Sequence, residues 1–526
     1  MYLINENVSY EVVDIYDIIK REYGRELVDG LVNPVDTGVK EFIKSAGIWL
    51  ADNTGLFSQT QFITYWKNGK RRFSESDNYD AILVKRYKME NAYDIKIKIY
   101  YLRELILNYL YIRDFNSAFY YIRKYDIINN HNNSDFDNFE KELNELFVEM
   151  KEKLSQRRQK DIILFWCDSI PYQEFVGYGF LKEEAQNSLF FENAYTHNPY
   201  THTTSQTLWT GMPFFEGGLF DWNKPTVVKH GRTIDFLENN GYKLCEIHSN
   251  YIQEKYVRDL FYTVKSSRPP AAMNLWEMLA QLLENENNKY FTVCHMTCET
   301  HPPYWNGISR KMRVGSNNIY ADETLLSDQI RESSKYLSTQ ILWYSNFLGE
   351  NASRIYMSDH GHGTPTYLEK KVHTFCFVKD KRVKKGRFNK YFSYLNFYKL
   401  LEYILEPSNK KLDDIFSEYI LIQGDHPYGK AFCEDIMEKL ERKEDILLEK
   451  WMGYRGIIKN GYKLVCFPNG KEVWMDMDDN RIETETIKDT DLIKFMREHV
   501  GHFFPDLSKS KHYCETKKLY ERLNII

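Results

Sequence analysis

The chain has 526 residues, 43% of them hydrophobic and 28% charged, with 75 acidic side chains against 70 basic ones. That length has room for two to four domains, and the balance suits a packed interior rather than disorder. A net charge of −5 speaks against a basic nucleic-acid-binding protein, so no nucleic-acid partner is expected.

The first residues, Met1 to Asn7, carry no basic segment followed by an apolar one, so no signal peptide is expected. No apolar run reaches 18 residues, and the most lipophilic stretch, Ile99 to Ile112, is interrupted by Arg103 and Glu104. A membrane span is therefore not expected, which leaves peripheral contact with a membrane open. Eight scattered cysteines without a CxxC pair point to free thiols and a cytoplasmic protein. Residues 1–157 read as a helical N-terminal domain. Apolar periodicity over Tyr79 to Ile128 breaks at Arg113-Asp114-Phe115-Asn116, an Asn-rich loop follows, and Ser134 offers an N-cap for a charged helix to about Arg158. Leu107 to Ile122 resembles one tetratricopeptide-type helical hairpin. A helical extension packed on a core explains it more simply than a repeat array, though such a domain can also bind protein or dimerise.

From residue 161 the pattern changes. Asp161 to Cys167 is a continuous apolar run, and similar runs recur at Tyr242 to Ile247, Tyr290 to Met296, Arg354 to Met357 and His373 to Val378. Helical stretches lie between them, at Thr233 to Asn239, Asn274 to Glu286 and Thr324 to about Leu348. Alternation of this kind predicts an α/β catalytic domain over 158–450, with a mainly parallel sheet flanked by helices on both faces. A hairpin-rich C-terminal subdomain over 451–526 follows, its turn at Pro468-Asn469-Gly470.

In open α/β sheets ligands bind beyond the carboxyl ends of strands. Polar clusters fall there: Asp168-Ser169, Thr201 to Thr204, Glu299-Thr300-His301 and Ser358 to Gly363. Carboxylates, imidazoles and a hydroxyl are what a divalent cation needs if it is to hold a phosphate-like oxygen and activate an alcohol. Asp359 and His360 share one site only if the chain turns there, and Gly361 suits such a turn.

With Asp168, Thr201 ahead of Thr210-Gly211, the segment His301-Pro302-Pro303-Tyr304 and Ser358-Asp359-His360-Gly361, residues 160–500 resemble the alkaline phosphatase/sulfatase superfamily. Within it the likeness is to sulfatase-like phosphoethanolamine transferases and lipoteichoic acid synthases. The resemblance implies an alkaline phosphatase-like fold and a metal held by Asp168, Thr201, Asp359 and His360. Zn2+ is the first choice of ion, with Mn2+, Mg2+ or Ca2+ as alternatives. It also implies a Thr201 nucleophile passing through a phosphothreonine intermediate, with His301 and His373 as catalytic partners. The donor would be a phosphate ester and the acceptor a glycan hydroxyl or water. Ser169 is a competing nucleophile, placed lower because no helix starts behind it; Glu299, His202 and His362 are further candidates for metal or substrate contact. Threonine cannot become the formylglycine of sulfatases, which favours phosphoryl over sulfuryl chemistry. A sulfate- or phosphate-ester hydrolase and a non-catalytic scaffold are the alternatives. Lys379 to Lys390 holds seven bases against one acid, either a steering patch for an anionic substrate or a solvated loop between strand and helix.

Overall fold

The computed structural model describes residues 88–525 together with 82, 85 and 86, apart from 130–133, 216–230, 250–261, 267–269, 285–286, 301–322, 363–365, 426–429, 443–451, 502–505 and 511–512. Eight strands form one sheet: β1 (Ile162–Cys167), β2 (Leu189–Tyr195), β3 (Tyr242–Ser249), β4 (Tyr262–Ser266), β5 (Lys289–Met296), β6 (Ser353–Ser358), β7 (His373–Lys379) and β8 (Gly386–Ser393). Their order is β4-β3-β5-β1-β6-β7-β2-β8. β7 runs antiparallel to both neighbours, and every other pairing is parallel.

β1 is buried along its whole length, and its side chains divide between two apolar layers with the period of two that a strand imposes. Ile163, Phe165 and Cys167 join one layer, which continues into the helices Ile95–Tyr111, Phe115–Ile128, Ala271–Glu284 and Glu323–Ser345. Ile162, Leu164 and Trp166 join the other, beneath the helices Thr201–Thr210, Arg232–Asn239 and Phe397–Leu405. This is the expected α/β architecture with helices on both faces. Among the described residues no helix is long and apolar enough to cross a membrane. All eight cysteines are free thiols.

The helix 115–128, itself packed on the helix 95–111, lies on the helices that cover this face of the sheet. Phe115 meets Trp276 at 5.2 Å and Trp343 at 5.7 Å between ring centroids. The Tyr336 hydroxyl donates to the buried Asp114 carboxylate at 2.8 Å. Asp114 itself caps the second helix by accepting from Ser117 N.

A second sheet holds β9 (Ile420–Gly424), β10 (Tyr454–Lys459), β11 (Tyr462–Cys466) and β12 (Glu472–Asp476), all antiparallel, in the order β12-β11-β10-β9. Its edge strand β9 comes from upstream of residue 451. The run Lys379 to Lys390 is not the loop it resembles in sequence, since Gly386–Ser393 is strand β8 at the sheet edge, where positive charge discourages pairing with another chain. Five of its seven bases face carboxylates: Lys379 on Glu184, Lys381 on Glu350, Arg382 on Asp380, Arg387 on Glu192 and Lys390 on Asp413.

Lys463 ties the two sheets together. Fully buried on β11, it reaches Glu369 Oε1 at 2.9 Å, Asp479 Oδ1 at 2.7 Å and the Tyr367 carbonyl at 3.1 Å. Burial alone would raise the Glu369 pKa; the Lys463 charge and the His373 hydrogen bond hold it below its usual value. Lys463→Ala strands a buried carboxylate and is expected to cost about 3–5 kcal/mol, read as a lower urea midpoint with an unchanged slope.

Candidate active site

Parallel pairing sets the site. β1 aligns with β6 so that Cys167 sits opposite Ser358, which brings the next residues, Asp168 and Asp359, side by side at the carboxyl edge. Both carboxylates are 0% exposed. β5 aligns His295 with Trp166, and its Nε2 lies 3.1 Å from Asp168 Oδ2. Thr201 opens the helix Thr201–Thr210 behind an extended Tyr200 that provides no side-chain cap, so the first N–H groups stay available to an anion. The Thr201 hydroxyl lies 3.1 Å from His360 Nε2 and 3.3 Å from Asp168 Oδ2.

The structure thus brings Asp168, Thr201, Asp359 and His360 together, with His360 Nε2 3.5 Å from Asp359 Oδ2 and 3.8 Å from Asp168 Oδ1. The tautomer of His360 follows from its neighbour: Nδ1 lies 2.7 Å from the Gly361 carbonyl, which can only accept. Nδ1 therefore carries a proton, and Nε2 faces Thr201 and the carboxylates.

Asp359 Oδ1 accepts from Ser169 N at 3.0 Å and His360 N at 2.8 Å, whereas its buried Oδ2 has no hydrogen-bond partner among the described residues. Burial, and then the adjacent Asp168 charge, push its pKa up to about 7. Two dry carboxylates with an orphaned oxygen fit a cation. One ligand atom each from Asp168, His295 and Asp359 lies within 4.8 Å of the others. With His360 beside them, the donor set of carboxylate oxygen, imidazole nitrogen and hydroxyl suits a divalent metal.

Two of the neighbouring groups have no signal in the sequence. His295 is hidden inside an apolar strand, one residue short of its end. Lys371 comes from a short charged helix; it is 8% exposed, and its Nζ lies 3.2 Å from His360 Nδ1 and 5.8 Å from the centre of the Tyr200 ring. Burial lowers its pKa to about 8 against the pull of Asp359 and Asp168.

Gly361 serves in a different way from the one its turn-like setting suggests. Its φ is not left-handed; a Cβ there would overlap the Lys370 carbonyl oxygen and come within 2.9 Å of Pro171 Cβ. Gly361→Ala is expected to destabilise by about 1–3 kcal/mol and to displace His360, read as a lower melting temperature and weaker metal binding.

His301 lies outside the described residues. His373 is not brought to this cluster. Its Nε2 lies 2.8 Å from the Glu192 carbonyl, its Nδ1 3.4 Å from Glu369 Oε2, and its ring is stacked between Tyr172 at 4.3 Å and Tyr195 at 4.6 Å. The reason is strand parity. His373 alternates with Phe375 and Phe377 toward one layer, while His295 shares with Trp166 the face toward the other. Glu299 is buried, with Oε1 accepting from Ala271 N at the start of a helix. His362 pairs with Glu174, and His202 sits between Tyr200 and Phe214.

No family model matches the chain, and no curated protein matches it. Solved structures do resemble it. A 2-O GAG sulfatase matches with a TM-score of 0.49 at 13% identity, over 65% of this chain and 90% of its own. The phosphonate monoester hydrolase of Agrobacterium radiobacter matches with a TM-score of 0.48 at 11% identity, over 70% of this chain and 96% of its own. A protein of the alkaline phosphatase superfamily from Vibrio parahaemolyticus matches with a TM-score of 0.44 at 13% identity, over 72% and 97%. Similarity this distant says nothing of this chain's own chemistry, which has to be read from the site.

Proposed function

We propose that the protein is a metal-dependent phosphoesterase or phosphotransferase whose nucleophile is Thr201. The observation that carries this reading is the Thr201 hydroxyl, at the start of a helix, within 3.1 Å of His360 Nε2 and 3.3 Å of Asp168 Oδ2. Asp168, Asp359 and His360, with Thr201 itself, would hold the ion, Zn2+ being the first choice; His295 is the added candidate ligand. Such an ion supplies positive charge that favours an ionised alcohol and offsets charge on transferred oxygens. Asp168 and His360 orient the Thr201 hydroxyl, and Asp168 accepts its proton. Thr201 Oγ1 forms a bond to phosphorus as the ester P–O bond breaks, and the leaving alkoxide takes a proton from water. Water or an alcohol then attacks the phosphothreonine and returns Thr201 to its hydroxyl form. The N–H groups at the helix start and the Lys371 ammonium offer positive charge to the anionic group.

Within this reading the donor is a phosphate ester of the phosphoethanolamine kind, and the acceptor a glycan hydroxyl, as the threonine motif suggests. The test is turnover of aryl phosphates, phosphonates and sulfates with added Zn2+ or Mn2+, acid-quenched and peptide-mapped for phosphate on Thr201. Glycerol in the reaction reports transfer as glycerol phosphate. Sulfate turnover in preference to phosphate, or no label on Thr201 during turnover, would overturn the proposal.

A further inference from the structure

Ser169 stands at the centre of the cluster in a backbone conformation that serine rarely adopts. Its φ is +57°, in the left-handed region that glycine enters freely and other residues enter only with strain. The strain has a visible counterpart. In this conformation Ser169 N donates to Asp359 Oδ1 at 3.0 Å, while its hydroxyl donates to Asp168 Oδ1 at 3.0 Å and lies 3.2 Å from His360 Nδ1. The next residue is pinned too, with Ile170 N donating to Ser358 Oγ at 2.8 Å. The Gly361 carbonyl takes the proton of His360 Nδ1, so the serine proton is left for Asp168.

We propose that Ser169 is a positioning residue that sorts the oxygens of both carboxylates; the idea rests on the reading that the cluster holds a divalent cation. One residue engages Oδ1 of each aspartate. Asp168 Oδ2 is then left 3.1 Å from His295 Nε2 and 3.3 Å from Thr201 Oγ1, which lies 3.4 Å from Oδ1 as well, and Asp359 Oδ2 has no hydrogen-bond partner among the described residues. Glycine would satisfy the backbone better, so the hydroxyl is the physical reason for a serine here. Conserving the N–H while removing the hydroxyl separates the two contributions.

The experiment measures Co2+ and Zn2+ binding to the full chain by equilibrium dialysis with metal analysis, together with the visible spectrum of the Co2+ form and metal-free melting. Ser169→Gly is expected to melt at or above the wild-type temperature without metal, yet to bind Co2+ about 10- to 100-fold more weakly with a shifted visible band. Ser169→Ala should lose the same affinity and melt lower, because alanine keeps the strain. Ser169→Thr, which restores the hydroxyl, should recover most of the affinity. Wild-type affinity and spectrum in Ser169→Gly overturn the proposal, and so does a loss of affinity there that only follows a fall in metal-free melting. A wild-type protein that takes up no stoichiometric ion overturns this proposal and the metal-dependent reading together, whereas a metal-binding wild type with indifferent variants overturns this one alone.

Discussion

Thr201→Ala is expected to lower turnover of a phosphate ester by about 10³-fold or more, with little change in melting temperature. Loss of a nucleophile removes the covalent route altogether, so the residual rate is whatever the remaining charges and helix N–H groups confer on direct attack by water. Stability should barely change, because the lost groups are one methyl and one hydroxyl at a helix start whose remaining residues keep their packing. Thr201→Ser is the control. It keeps the oxygen 3.1 Å from His360 Nε2 and should hold most of the rate, giving up only the rotamer restriction that a β-branched side chain imposes. Steady-state kinetics on both variants, with the label followed to residue 201, check it. Wild-type-like turnover in Thr201→Ala would remove Thr201 from the nucleophile role, while equal losses in both variants would give it a steric role instead.

Much of this arrangement was legible from sequence because strand ends are legible. β1, β3, β5, β6 and β7 each announce themselves as apolar runs, and parallel pairing then brings the residues just beyond β1 and β6 together. Three strands gave no such signal, β4, β2 and β8. β2 carries Glu192-Asn193 within its apolar run, and its register with β8 shifts between Phe191 and Asn193, so neither continuous hydrophobicity nor clean alternation marks it. β8 opens with Gly386 and carries Asn389 and the charged Arg387 and Lys390 before its buried end, as an exposed edge permits. Among site residues, a sequence rule based on strand ends passes over His295, which reaches Asp168 from one residue inside β5. His373, named from the family resemblance, stands at the correct edge of the sheet as the first residue of β7, but a period of two turns its ring to the other face. Lys371 has no sequence signal at all. A pair of lysines in a short helix reads as solvated, and only the approach of the Gly361 and Lys370 backbones puts the second of them beside His360.

Asp359→Asn is expected to make the metal-free protein more stable while removing its affinity for the ion. The wild-type carboxyl has a pKa raised from 3.8 to about 7, by burial first and by Asp168 second. A folded-state pKa above the unfolded one means that the unfolded chain releases this proton more readily. The contribution to stability is then fully present below about pH 4 and is lost as pH rises through about 7. Between pH 4 and pH 8 the metal-free wild type should lose about 2–4 kcal/mol that the asparagine variant keeps. Asparagine preserves the local structure: its Oδ1 can still accept from Ser169 N and His360 N, and its amide N–H groups replace an orphaned oxygen next to Asp168. The ion reverses the balance, since the wild-type site gains stability from mass action and the variant, lacking a charged ligand, gains little. Urea unfolding at several pH values with and without Zn2+ tests both halves. Parallel pH curves for the two metal-free proteins, or zinc stabilisation of the variant equal to wild type, would show that Asp359 is not a strained ligand kept for the cation. An asparagine variant that is more stable without metal but inactive with it would mean that the buried carboxylate pair lowers the stability of the fold in order to bind the ion.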